Sequence, residues 1–160
     1  MTESKMDKLI HECLKHIQRL RSASEKMSPF MPLDTRRYEN LTDDEVEHID
    51  QFLFRFAKLQ DTIGDKLFVA LLTYFQEDNI KNKPFLDILN RLEQLQILSN
   101  KDDWIALRKI RNDISHHYED DSHEMAPAIN AIHSKLNILI EIFHNVKNEF
   151  DQAKRDRVIH

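Results

Sequence analysis

Val46, Ile49, Leu53, Phe56, Ile63, Leu67, Leu71 and Tyr74 follow one another at three- and four-residue steps or their sum, the spacing that lines up apolar side chains along one face of an α-helix. Phe52, Leu59, Phe68 and Phe75 widen that stripe, so the helix has room for two partners at once. Turn-forming residues are scarce: the 160-residue chain has one glycine and four prolines. Tight turns and strand bends are correspondingly few, and long helices are favoured. The lone glycine, Gly64, falls inside the stripe, where it weakens a helix by about 1 kcal/mol relative to alanine. A close helix crossing at Gly64 is the expected compensation, with a kink as the alternative.

The rest of the chain reads the same way. Met6, Leu9, Cys13, Ile17 and Leu20 predict an amphipathic helix over residues 5–24, with Lys8, Lys15, Arg19 and Arg21 on its other face. From Ser22 to Leu41 the pattern breaks at Ser28, Pro29 and Pro32, a connecting loop packed down by Phe30, Met31 and Leu33. Thr42-Asp43-Asp44-Glu45 is a capping box that opens the long helix, which runs to about Gln76. Pro84 opens a short helix to about Leu95, buried through Phe85, Ile88, Leu89 and Leu92. Ser99 or Asn100 caps the next helix, whose first turn holds Asp102 and Asp103. Trp104, Leu107, Arg111, Ile114 and Tyr118 share one of its faces. Asp121-Ser122-His123-Glu124 starts a closing helix carrying Met125, Ile129, Ile132, Leu136, Leu139, Phe143, Val146 and Phe150. The expected architecture is a single-domain all-α bundle of about five helices. Residues 1–41 supply an N-terminal helix and loop, residues 42–153 the bundle, and residues 154–160 a charged tail expected to fray.

Composition narrows the function. With 41% apolar and 32% charged residues the chain is globular rather than disordered. A net charge of −5 gives no global basic field, so any contact with nucleic acid has to be local and cationic. A single cysteine, Cys13, forms no internal disulfide and fits a reducing compartment. No apolar run reaches membrane-spanning length, and Met-Thr-Glu-Ser-Lys lacks a signal-peptide core, so a cytoplasmic location is expected.

Chemistry concentrates in Arg-Asn-Asp-Ile-Ser-His-His-Tyr, residues 111–118. The Arg111 guanidinium is permanently charged and matches phosphate with a planar fork of donors. His116 is suited to moving protons near neutral pH. Five residues apart on a straight α-helix, the two side chains point about 140° away from each other. Either the helix ends near Ser115 and swings His116 round, or the two groups meet across a dimer. Asn112 and Asp113 are placed to orient the His116 imidazole. The bland alternative for Arg111 is a helix-end ion pair with Asp113 or Glu119.

Arg111, four residues, His116, one residue and Tyr118 resembles the R-x4-H-x-Y signature of the HEPN family, in its HepT-type toxin branch. Asn112 matches the polar residue that often follows the arginine there, and Trp104-x2-Leu107-x3-Arg111 fits the flanking pattern. The resemblance covers roughly residues 43–150. It implies a HEPN-like bundle forming a two-fold dimer, with Arg111 and His116 catalytic in one cleft and Asn112, Asp113 and His117 supporting. The implied activity is metal-independent endoribonuclease cleavage of RNA, without a cofactor, by the toxin of a type II/VII-like toxin–antitoxin pair. It also implies a cognate minimal nucleotidyltransferase antitoxin that adenylylates Tyr118, placing bulk and negative charge beside Arg111. The chain has no Gly-Ser and paired-carboxylate signature of its own, so a separate partner has to supply that activity. The N-terminal 41 residues depart from the compact members and put substrate access in question.

Other readings stand beside this one. His116, His117 and His123 cluster with acidic residues, yet lack the spaced helical pair or cysteine knuckles of zinc sites, so no metal is assigned. Arg108 and Lys109 are the leading candidates for an RNA path. Arg36, Arg37 and Lys101 are further ones, although a solvated charged face explains each singly. A non-catalytic alternative is a helical partner of a nucleotidyltransferase, using residues 111–118 to dock a nucleotide or phosphate.

Overall fold

The computed structural model describes residues 2–116 and 120–159. Its α-helices are α1 Thr2–Met27, α2 Thr35–Glu39, α3 Asp43–Asp61, α4 Phe68–Tyr74, α5 Phe85–Gln94, α6 Lys101–His116, α7 Ser122–Ser134 and α8 Leu136–Ile159. No strand occurs among the described residues. Helices α3 and α4 are one rod, joined without interruption by a π-helical turn over Thr62–Leu67. The rod starts at the capping box, where Glu45 N–H donates to Thr42 Oγ1 at 3.2 Å and Thr42 N–H donates to Glu45 Oε1 at 2.9 Å.

Amphipathic periodicity produces the core directly. Met6, Cys13, Leu20 and Met27 of α1 are fully buried, as are Phe52, Leu59, Ile63, Leu67, Phe68, Leu71 and Leu72 of the rod. Helix α1 lies along this rod, so the N-terminal helix shares the bundle's core. Burial of that order is worth about 1.5–3 kcal/mol for each large apolar side chain. It also pushes the Cys13 thiol up to about 12, leaving a packed, unreactive sulfur.

Three local expectations change. The connection from Ser28 to Leu41 contains a 3-10 turn, Ser28–Phe30, and helix α2, which Asp34 caps by accepting from Arg37 N–H at 2.7 Å. Phe30 and Leu33 are buried, and the Asn130 amide of α7 grips Leu33 through both its N–H and its carbonyl, at 2.8 and 2.7 Å. The closing helix is two helices, broken at Lys135, where the N–H donates back three residues to Ile132. The charged tail is helical through Ile159, with Lys154 over the Phe150 ring and Arg157 over the Tyr74 ring, its guanidinium donating to Tyr74 O at 2.8 Å. Long cationic side chains cover apolar rings with their stems and stay hydrated at their heads. With the closing helix split, and α3–α4 counted as one rod, the bundle has six long helices plus α2 among the described residues. None is long and apolar enough to cross a membrane.

Histidines within the packing make the fold sensitive to acid. His16 lies between α1 and the rod, with Arg55 Nη1 at 3.0 Å from Nδ1. Burial lowers its pKa from an ordinary 6.5, Arg55 lowers it further, and the Glu12 carboxylate opposes them. Burial likewise lowers His133, whose ring packs on Phe52, and His144. Each lowered group is neutral in the folded state at pH values where the unfolded chain already binds the proton. Their contribution to stability is therefore complete above the ordinary histidine value and declines as pH falls through it. Urea midpoints measured from about pH 7.5 down to pH 5 should fall steadily, and replacing His16 and His133 together with neutral residues should flatten that decline.

Candidate functional site

Helix α6 is fastened at its start before it presents anything. Asn100, one of the two expected caps, accepts from Asp102 N–H at 2.8 Å, and the Glu93 carboxylate of α5 accepts from Lys101 N–H at 2.8 Å. Trp104 and Leu107 are buried and anchor the helix to the core. The Trp104 ring meets Phe68 edge to face, with centroids 4.9 Å apart.

Gly64 allows this contact. A Cβ added there would stand 2.7 Å from Trp104 Cζ2, closer than carbon atoms approach each other. The close approach at Gly64 is made by the Trp104 indole, and the rod runs through that point in π rather than α geometry. The π turn places an extra residue in the rod where α6 passes, an irregularity that recurs at functional sites in proteins generally.

Arg111 stands seven residues beyond Trp104, on the same face of α6. Its Nη2 donates to Asp61 Oδ2 at 3.0 Å, and Nη1 reaches Asn112 Oδ1 at 3.4 Å. The ion-pair partner is thus a carboxylate on the rod and not Asp113, which is exposed; Glu119 lies outside the described residues. Nothing in the local spacing of residues 111–118 points fifty positions upstream to Asp61. The available signal was Gln60, a polar residue four positions after Phe56 on the apolar stripe and four before Gly64, and it is buried. Between the rod and α6 lies a polar cavity of about 230 Å³, walled by Gln60, Gly64 and Asp65 on one side and Trp104, Arg108 and Arg111 on the other.

His116 occupies a different surface. Helix α6 runs through Ser115 to His116, and His116 at its end lines a different cavity from Arg111. His116 is exposed and lines a larger groove of about 530 Å³ with Phe85, Leu86 and Leu89 of α5 and Ile105 and Lys109 of α6. Within one chain, therefore, Arg111 and His116 are not brought together. Arg108, Asn112 and Trp104 border both cavities. The Arg108 guanidinium lies 5.3 Å from the centroid of the Phe85 ring, and Lys109 is exposed. Asn112, expected to orient His116, turns its carbonyl toward Arg111 instead. His117 and Tyr118 lie outside the described residues. His123 is engaged by α2, with Thr35 Oγ1 at 3.3 Å from Nδ1, while Ser122 donates to Glu39 at 2.7 Å.

Comparison of the chain with protein-family models, with curated proteins and with solved structures finds no match.

The Gly64–Trp104 contact sets two effects against each other. Alanine gains about 1 kcal/mol of helix propensity over glycine, whereas forcing an extra methyl against a rigid buried ring costs about 1–3 kcal/mol. Gly64→Ala should therefore lower the urea midpoint and change the emission of Trp104. A variant more stable than the parent would show that the indole yields freely.

Proposed function

We propose that this chain is a HEPN-type endoribonuclease toxin that works as a homodimer and is restrained by a nucleotidyltransferase partner acting at Tyr118. The observation that carries the proposal is the division of the R-x4-H pair between two faces of the exposed end of α6. Arg111 faces the rod and the polar cavity, while His116 faces the α5 groove. Two such helix ends related by a two-fold axis would set the Arg111 of one protomer against the His116 of the other. The surface beside His116 supports a partner of that kind, because Leu86 is 52% exposed and Ile105 44% exposed along the groove. Arg108 and Lys109 on the same stretch give the local positive charge that RNA requires of a chain with net charge −5.

The chemistry is internal transesterification. His116 takes the proton from a ribose 2′-hydroxyl as that oxygen attacks the adjacent phosphorus. The bond to the 5′-oxygen breaks, that oxygen takes up a proton, and the products are a 2′,3′-cyclic phosphate and a 5′-hydroxyl. Arg111 stabilises the charge that gathers on the phosphorane oxygens. A nucleophile already carried by the substrate needs no metal to generate it. Adenylylation of Tyr118, two residues beyond His116 in the sequence, would add a phosphate and a nucleoside and exclude RNA by bulk and charge.

The non-catalytic alternative, a nucleotide-docking partner of a nucleotidyltransferase, draws on the cavity beside Arg111. Cleavage separates the two readings. Purified protein incubated with RNA in EDTA should generate cyclic-phosphate ends, and His116→Ala should reduce the rate by about a hundredfold or more. Undiminished cleavage by the variant would remove His116 from the chemistry, and intact RNA with retained nucleotide affinity would favour the docking module.

A further inference from the structure

Helix α1 turns a basic edge to the rod. Glu12 and His16 mark that edge, because Thr62 Oγ1 donates to the Glu12 carboxylate at 3.3 Å and Arg55 Nη1 stands 3.0 Å from His16 Nδ1. Lys8, Lys15 and Arg19 fall three or four residues from one or other of these two, the spacing of neighbours on a helix surface, and all three are exposed. The rod contributes Arg55 and the exposed Lys58, which lies close enough to His16 to add its repulsion to the burial and the Arg55 charge that lower the imidazole pKa. Residues 8–20 hold three cations against the one carboxylate of Glu12, and residues 51–60 two against none, in a chain whose net charge is −5. Among the described residues none of these five cations forms an ion pair with a carboxylate, whereas Arg91, Arg111, Lys147 and Lys154 each do.

One aromatic ring stands among them. Phe54 is 53% exposed, and the Arg55 guanidinium and the Lys58 ammonium each lie 5.6 Å from its centroid. Left in water, the ring forgoes the roughly 1.5–3 kcal/mol that burial would bring, and about half of its surface stays open to a stacking partner. Phe54, Lys58 and Asp61 follow at steps of four and three along one face of the rod, and Asp61 is the carboxylate that holds Arg111. The strip therefore runs from the α1 edge, past the ring, to the Arg111 site, where the exposed carboxylate of Asp65 ends the run of positive charge.

The ring and the setting of α1 decide which polyanion fits. A membrane surface needs an apolar face to insert, and that of α1 is occupied by the core, with Met6, Cys13 and Leu20 fully buried. Duplex nucleic acid keeps its bases stacked on one another and leaves none for Phe54. A single strand offers phosphates to the cations and bases to the ring together. We infer that this strip binds single-stranded nucleic acid, an inference that rests on the nuclease reading only for taking that strand to be RNA. Lys8 to Arg19 spans about 16 Å of helix at about 1.5 Å per residue, enough for a few nucleotides.

A fluorescein-labelled 2′-O-methyl oligouridylate lacks the attacking hydroxyl and cannot be cleaved. It is titrated with protein over a range of salt concentrations while its anisotropy is followed. Wild-type protein should bind it about tenfold or more tightly than its duplex with the complementary strand, and should not sediment with phosphatidylserine vesicles. Lys15→Gln, Arg19→Gln and Lys58→Gln in one chain should weaken binding about tenfold or more and reduce the slope of log K against log salt by about 2, three contacts at about 0.7 each. Phe54→Leu should weaken binding about tenfold and leave that slope unchanged. A charge-matched control, Lys26→Gln with Lys81→Gln and Lys83→Gln, should bind as wild type does. Arg55 stays in place in every variant, because its contact with His16 belongs to the packing. No binding by wild type, equal binding of the duplex, vesicle binding in place of oligonucleotide binding, an equal loss in the control, or undiminished binding by either strip variant would each overturn the inference. The expected binding pattern with natural RNA left uncut would uphold the strip and overturn the nuclease reading. Cleavage of natural RNA with binding unchanged in the triple variant would do the opposite.

Discussion

The contact between the Trp104 indole and the backbone at Gly64 is the constraint on which the rest of the site depends. The largest side chain of the core meets the one residue in the chain with no side chain. Without that match the Trp104 ring of α6 could not lie against the rod at Gly64. Arg111, two turns further along the same face, would then miss Asp61 and the cavity. The glycine weakens its helix by about 1 kcal/mol, and burial of an indole offsets that several times over at about 25 cal/mol per Å² of apolar surface. The π turn belongs to the same arrangement, since it carries Gly64, which the indole meets, within it.

Arg111 contributes little to stability. Its side chain is 32% exposed and that of Asp61 48%, and ion pairs in such settings are worth about 0–1 kcal/mol. An arginine on the apolar face of α6, with Nε unpartnered and a carboxylate steadying one end of its fork, is held in place without being fully used. An aliphatic residue would pack there with fewer unmet hydrogen bonds. That imbalance favours a role in binding.

Much of the fold was legible in the sequence because it rests on periodicity and local capping. The stripe from Val46 to Tyr74, the Thr42–Glu45 box and the cap before Asp102 depend on residues a few positions apart. The break at Lys135 was not legible, since the apolar 3-4 alternation runs through it and no glycine or proline marks it. Helix α2 was hidden by its length of 5 residues, short enough that the Asp34 cap and contacts with α7 decide it more than propensity does. Within residues 111–118, helical spacing alone set Arg111 and His116 on different faces of α6. Asp61 was invisible there because it reaches Arg111 through tertiary packing, across fifty positions of chain.

That separation leaves the proposed mechanism with one requirement. A composite site must take its guanidinium from one protomer and its imidazole from the other. Coexpressing Arg111→Ala with His116→Ala chains tests this most directly, because a mixed dimer keeps one complete site made of the unmodified residue of each chain. Each variant alone should be inactive, and random mixing should restore RNA cleavage to about a quarter of the wild-type rate. A mixture as inactive as its parents would contradict the account, since it would mean that the two groups do not act across a subunit boundary.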